Sequence, residues 1–180
     1  VRFKSPEDAI RHGIGYLTED RKEAGLFLDL DVSSNIVSAN LDEFTNAGFV
    51  RDQDILKKTR ESVKQLNVMT PSMKQKAINL SGGNQQKLLM GRWLMKDSDI
   101  LIIDEPTRGV DVGAKSEIYD LIRSMAKSGT SIIVISSELP EILTLCDRTI
   151  VMWQGNLTGE LTNKEATEEK LMHLASGYKL

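Results

Sequence analysis

An alternation of strand, helix and strand in the second half of the chain constrains its fold most. Residues 100–103, Ile100-Leu101-Ile102-Ile103, are a continuous apolar run. Residues 115–127 then place Ile118, Leu121, Ile122 and Met125 at i, i+3, i+4 and i+7, Gly129 ends that helix, and residues 131–135 are a second apolar strand. Apolar strands joined through an amphipathic crossover helix form a βαβ unit, so the predicted class is α/β with a parallel sheet of buried strands. A helix lined by Leu88, Leu89, Trp93 and Leu94 precedes the first of these strands.

The flanks read less regularly. Ser5-Pro6-Glu7-Asp8 combines a capping serine, proline at the first helical position and acids in the first turn, with Gly13 as the stop and a short strand over 14–17. Residues 18–46 are polar and read as loops around short helical pieces, punctuated by Gly25 and Asn35. An amphipathic helix over 54–66 buries Ile55, Leu56, Val63 and Leu66 and leaves Lys57, Lys58, Arg60 and Lys64 wet. Beyond the second strand, residues 149–153 and 157–161 flank Gln154-Gly155-Asn156 as a hairpin, and residues 165–175 form a closing helix.

Composition excludes several classes. With 180 residues, 40% of them hydrophobic, the chain can bury a core; its longest apolar runs, 132–135 and 150–153, fall far short of the ~20 residues that span a bilayer, which predicts a soluble chain. A net charge of -3 with dispersed Lys and Arg gives no electrostatic footprint for nucleic acid. The single cysteine, Cys146, reads as a small half-buried residue and fits a reducing compartment. His12 and His173 have no neighbouring ligand cluster, so no transition-metal site is expected there. Without an initiator Met, Val1 is expected to lie inside a longer polypeptide.

Two motifs carry chemistry. The apolar strand ends in Asp104-Glu105, and ligands of open α/β sheets collect at strand carboxyl ends. In phosphoryl transfer the first acid would hold Mg²⁺, usually through water, and the second would orient and deprotonate an attacking water; an ordinary acidic turn after a strand is the plain alternative. The second motif, Leu80-Ser81-Gly82-Gly83-Asn84-Gln85-Gln86, opens a helix. Two glycines let backbone approach a ligand, Ser81 adds a hydroxyl, and a helix N-terminus favours an anion such as phosphate; a Gly-rich cap is the plain alternative.

Taken together, Leu80 to Lys87 resembles the signature motif of ABC ATPases, and the run Ile100 to Glu105 followed by Pro106-Thr107 resembles their Walker B strand. Arg108-Gly109-Val110-Asp111 stands where that family has its D-loop, with Asp111 in the aspartate position. Asn84-Gln85-Gln86-Lys87 and the run from Glu105 to Lys115 are similar to the sugar-importer ATPases for ribose, galactose or xylose, a resemblance that covers nearly the whole chain. Nothing matches G-x-x-x-x-G-K-[ST], so the chain is similar to the second nucleotide-binding half of such a protein, starting after its P-loop.

The resemblance implies a P-loop NTPase core with a parallel sheet that lacks the P-loop strand. Residues 1–180 would be a partial ABC ATPase domain, with a helical subdomain over about 20–79 and the signature, Walker B, D-loop and C-terminal core over 80–180. It implies ATP and Mg²⁺ as ligands. Ser81, Gly82, Gly83, Asn84, Gln85 and Asp111 would serve nucleotide, Asp104 would hold the metal, and Glu105 would be catalytic. Two positions depart from the family: Glu19 stands at the Q-loop glutamine and Ser137 at the switch histidine, so this half's own site reads as impaired. The implied partners are the other nucleotide-binding half, transmembrane permease subunits at the cytoplasmic face of the plasma membrane and, indirectly, a sugar-binding protein. By the same resemblance Asp20-Arg21-Lys22-Glu23 lies near the membrane subunits; a solvated loop is the alternative. The implied activity is ATP hydrolysis driving monosaccharide import. Its rivals are a non-catalytic dimerisation half and a soluble ABC ATPase of translation or DNA repair, the latter opposed by the absence of a basic patch or a long coiled-coil insertion.

Overall fold

The computed structural model describes residues 2–46 and 49–179, which fall into two compact units, Val1–Ile135 and Ser136–Leu180. The first unit opens with helix α1 (Pro6–Arg11), where the Ser5 hydroxyl accepts the Asp8 N–H at 3.2 Å and the chain leaves through Gly13 at φ +75°. Strand β1 (Ile14–Leu17) follows. A π-helical turn (Arg21–Gly25), α2 (Val32–Val37), a two-stranded ribbon of β2 (Thr45–Asn46) and β3 (Phe49–Val50), and α3 (Asp52–Gln65) make up the next segment. Then come α4 (Gly82–Lys96), β4 (Ile100–Asp104), α5 (Val112–Lys127) and β5 (Ser131–Ile135).

Strands β1, β4 and β5 form a parallel sheet in the order β1-β4-β5, with Leu17 opposite Ile103 and Asp104 opposite Ile135. The βαβ reading of β4, α5 and β5 holds. Leu17, Leu101 and Ile103 are fully buried on one face, where Trp93 of α4 packs directly over Gly15. The other face departs from the expectation of strands buried on both sides. Tyr16, Ile133 and Ile135 are each about half exposed there, because the helices that cover Leu101 and Ile103 lie on the opposite side.

Helix α4 is buried on nearly all sides, from Gly83 to Trp93. Along α3, Lys57, Lys58, Arg60 and Lys64 are exposed as the periodicity predicts; of its apolar positions Ile55 and, just past the helix end, Leu66 are buried, while Leu56 and Val63 are only half-buried. Asn35 corrects the sequence reading. It is no punctuation but a fully buried residue inside α2, whose amide accepts the Phe27 N–H at 2.9 Å and donates to the Phe27, Asp31 and Leu30 carbonyls.

The second unit holds α6 (Leu139–Leu145), a hairpin of β6 (Arg148–Trp153) and β7 (Asn156–Thr162), and α7 (Glu168–Ala175). Gln154 and Gly155, both at positive φ, make a two-residue loop that pairs Trp153 with Asn156, the geometry favoured by strand twist. Helix α7 starts later than the predicted residue 165, because the Thr167 hydroxyl caps it and the Glu165 carboxylate is turned back onto Thr162.

Candidate functional site

Because β1 and β4 are parallel neighbours, the segments after Leu17 and after Asp104 leave the sheet at the same end. Asp104 closes β4, and its Oδ2 accepts the Tyr16 hydroxyl at 2.9 Å. That hydrogen bond, then partial burial and the carboxylate's charge, push the Tyr16 phenol above its usual pKa. Glu105 sits at φ +47°, a left-handed conformation that non-glycine residues adopt at some cost, and its N–H donates to the Ile135 carbonyl at 2.8 Å. The sharp bend sends the chain out of the sheet at once, through buried Pro106 and Thr107 into the turn that carries Arg108 and Gly109.

Ser81 is the N-cap of α4. Its hydroxyl accepts the Asn84 N–H at 3.4 Å and the Asn84 side-chain amide at 2.9 Å, and Asn84 Oδ1 accepts the Met69 N–H at 2.8 Å. Ser81 is exposed, Gly82 half-buried and Gly83 buried against Ala114 of α5, where a Cβ would come within 2.9 Å of the Ala114 Cβ. Gln85 is 4% exposed, its amide donating to the Ala77 carbonyl at 3.0 Å and accepting from Arg21 Nε at 3.4 Å. Asp111 is the exposed N-cap of α5, bonded to the Ala114 N–H at 3.0 Å. The fold therefore brings Ser81, Gly82 and Gly83 beside the turn leading to Asp111.

Glu19 is ion-paired with Arg108. Ser137 lies in the second unit, exposed in the turn before α6, where the Glu138 N–H donates to Ser136 Oγ at 3.0 Å. Two residues that bear on the site are invisible to motif reading. Tyr16 reaches Asp104 diagonally across the β1–β4 ladder, which strand register alone could have indicated. Arg21, half-buried in a segment that reads as a charged loop, bonds to Gln85 and to the carbonyls of Arg108 and Gly109; burial pushes its guanidinium pKa down.

Asp104 and Glu105 are hard oxygen donors, and among the described residues no group of three or more His, Cys, Asp or Glu side chains converges into an all-protein metal cage. A strand-end carboxylate such as that of Asp104 suits Mg²⁺, which keeps several waters and takes one or two carboxylates together with phosphate oxygens.

Comparison with known proteins bears on the family and the fold. A family model described as ABC transporter matches residues 3–108, more than half of the chain. A ribose/galactose/methyl galactoside import ATP-binding protein of Halalkalibacterium halodurans is 52% identical over 177 residues, 98% of this chain and 34% of that protein. Its counterpart from Geobacillus kaustophilus is 54% identical over 97% of this chain and 35% of its own length. The xylose import ATP-binding protein XylG of Thermoanaerobacter pseudethanolicus is 46% identical over 99% of this chain and 35% of its own length. The chain thus spans about a third of the length of the curated relatives it matches. Among solved structures, an ATP-binding cassette of an ABC transporter superposes with a TM-score of 0.75 at 21% identity, covering 95% of this chain and 71% of that one. A nucleotide-free cassette from an ABC transporter gives 0.70 at 20% identity over 96% and 68%. With the same fold, a matching family model and relatives at about half identity along nearly its whole length, the chain belongs to the ABC transporter family.

Proposed function

We propose that this chain is part of an ATP hydrolase that energises import of a monosaccharide, with residues of about 20–79 as a helical subdomain and 80–180 carrying the signature, Walker B and D-loop. The observation that carries the reading is the packing of the Ser81-Gly82-Gly83 turn, at the N-terminus of a fifteen-residue helix, against the turn that leads to Asp111. Backbone N–H groups, a hydroxyl and a helix N-terminus form a surface suited to the phosphates of an ATP held by a facing half. Asn84 and Gln85 brace that turn from within. Asp104 would hold Mg²⁺, which when bound offsets the negative charge of the phosphates. Glu105 is the base that would orient water at this half's own nucleotide, where Glu19 stands in for the usual glutamine; Ser137, the counterpart of the usual histidine in sequence, belongs to the second unit.

The sugar class rests on the relatives, which are import proteins for ribose, galactose or xylose. Sugar recognition itself belongs to a binding protein and to permease subunits, on whose cytoplasmic side the ATPase would sit. Among the described residues no helix is long and apolar enough to cross a membrane, consistent with a peripheral subunit. The test is ATP-driven uptake of labelled monosaccharide in vesicles carrying the full-length protein and its permease. Ser81→Arg is expected to abolish uptake by filling the phosphate-facing turn. Uptake at the unsubstituted rate would refute the reading, and an unchanged ATPase rate in Glu105→Gln would remove the hydrolytic role of Glu105.

A further inference from the structure

The side chain of Arg21 is a bracket between segments far apart in the chain. Its Nε donates to Gln85 Oε1 at 3.4 Å, its Nη2 to the Gly109 carbonyl at 2.9 Å and its Nη1 to the Arg108 carbonyl. Gln85 belongs to α4, whose first turn carries Ser81, Gly82 and Gly83, and Arg108 and Gly109 belong to the turn that runs from Glu105 to Asp111. A guanidinium is a planar fork of fixed donors, so it can hold two adjacent carbonyls and a side-chain amide in one arrangement, which a lysine ammonium cannot.

The glycines of both motifs are shaped around this fork. A Cβ on Gly82 would meet the Gly109 carbonyl at 2.7 Å and Arg21 Nη2 at 2.8 Å, and one on Gly109 would meet Nη2 at 3.2 Å. The glycine at position 82 is therefore required by the approach of Arg21 and of the Gly109 backbone. The base of Arg21 is itself fixed. Asp20 Oδ1 accepts the Lys22 and Glu23 N–H groups at 3.0 Å each, and a Cβ on Gly25, at the end of the same turn, would lie 2.9 Å from Leu89 of α4. Next to it, Glu19 pairs with the side chain of Arg108, so residues 19 and 21 grip the 108–109 turn through both its side chain and its backbone.

We infer that Arg21 is a positioning residue: it sets the spacing between the Ser81-Gly82-Gly83 turn and the Gly109-to-Asp111 turn, so that both meet the same ATP of the facing half. This rests on the proposed function, and it adds a residue and a mechanism to it. Arg21 touches no nucleotide in this scheme, so its loss acts on how much ATP is needed to bring the halves together and not on the chemical step.

The test is steady-state ATPase of the full-length protein against ATP concentration, with Arg21→Lys, Arg21→Met and Ser81→Arg. Misplaced binding groups weaken engagement severalfold or more, so both Arg21 variants should raise the ATP concentration for half-maximal rate about tenfold while the rate at saturation stays within about twofold. Arg21→Lys keeps the charge and most of the stem, and its melting temperature without nucleotide should fall by no more than about 3 °C. If Ser81→Arg is inactive while both Arg21 variants keep the original half-saturation, the positioning role is refuted and the proposed function stands. If the Arg21 variants lower the saturated rate or the melting temperature without moving half-saturation, the role of Arg21 is structural alone and the inference falls. Full restoration by lysine would also overturn it, because a point charge would then suffice. If Ser81→Arg leaves the rate untouched, the facing-site reading fails and the functional role of Arg21 fails with it.

Discussion

Replacing Asn35 with leucine is expected to destabilise the protein, and the size of the effect follows from its bonds. The amide is fully buried and makes four hydrogen bonds, but not all of them leave an orphan when it goes. The Leu30 carbonyl also accepts the Ala77 N–H, the Asp31 carbonyl accepts the Asn35 N–H, and the Phe27 carbonyl accepts the Leu30 N–H. Only the Phe27 N–H depends on Oδ1 for a partner among these bonds, at a cost of about 1–3 kcal/mol if it is left unsatisfied. The three weakened carbonyl contacts add about 1–2 kcal/mol, and the apolar burial gained by leucine offsets about 1–2 kcal/mol, so the net loss should be about 2 kcal/mol. For a domain of this size that lowers the melting temperature by about 4–8 °C. Asn35→Asp should be worse than Asn35→Leu, since it keeps the acceptor for Phe27 but turns a buried carboxylate toward three carbonyls. Differential scanning calorimetry of the two variants decides. A leucine variant as stable as the parent, or an aspartate variant more stable than the leucine one, would refute the assignment of Asn35 as a donor to this loop.

Tyr16→Phe removes a bond whose phenol pKa is raised in the folded state, so the bond's contribution is full below about pH 10 and lost as pH rises through the raised value. Urea unfolding from pH 8 to 11 should show the difference from the parent shrinking at the alkaline end, and a growing difference would contradict the donor role. Lys87 is 5% exposed, donating to the Asn67 carbonyl at 2.9 Å and paired with Glu117, whose side chain is 49% exposed. Glu117→Leu leaves a buried ammonium and should cost about 3 kcal/mol, whereas Lys87→Met leaves a carboxylate that water can reach and should cost about 1 kcal/mol; the reverse order in chemical denaturation would sink this account. Burial, then the charges of Asp147 and Glu141, push the Cys146 thiol above its usual pKa. It should therefore be alkylated by iodoacetamide at pH 8 more slowly than glutathione, and faster labelling would show that the thiol is not held this way.

What could be read in advance was whatever a short window of sequence controls. The β4, α5 and β5 unit was legible because its apolar spacing changes from continuous to helical and back, and the cap at Ser5 and the helix opening after Ser81 were legible as local chemistry, whereas α5 starts at Val112, capped by Asp111, three residues before the predicted 115. Asn35 misled because an asparagine beside polar residues looks like a turn, and only the approach of residues 27–31 reveals four bonds to one amide. The open face of the sheet could not be foreseen either. An apolar run shows that a strand is able to be buried on both sides, but which helices cover it is decided by residues elsewhere in the chain. Arg21 was hidden for a similar reason, since two of its three acceptors are backbone carbonyls 87 and 88 positions away.

The pairing of Glu19 with Arg108 bears on how the departures from the family pattern should be understood. Both side chains are about half exposed, and pairs of that kind contribute at most about 1 kcal/mol, so the pair does little for the stability of the fold. Its consequence is local and electrostatic. A glutamate at the position of a neutral glutamine would bring an uncompensated negative charge to the strand end where Asp104 and Glu105 already stand. Arg108 lies three residues beyond Glu105, and its N–H donates to the Glu105 carbonyl at 3.1 Å. The added charge therefore arrives together with its counter-ion. The same arginine's carbonyl is held by Arg21, which reaches Gln85 of α4. Glu19 thus attaches the segment after β1 to the turn after β4 by an ion pair, beside the hydrogen bonds through which Arg21 attaches the same turn to the first turns of α4. Under the proposed function, Glu19 and Arg21 together hold the 108–109 turn as part of the surface that would meet the facing half.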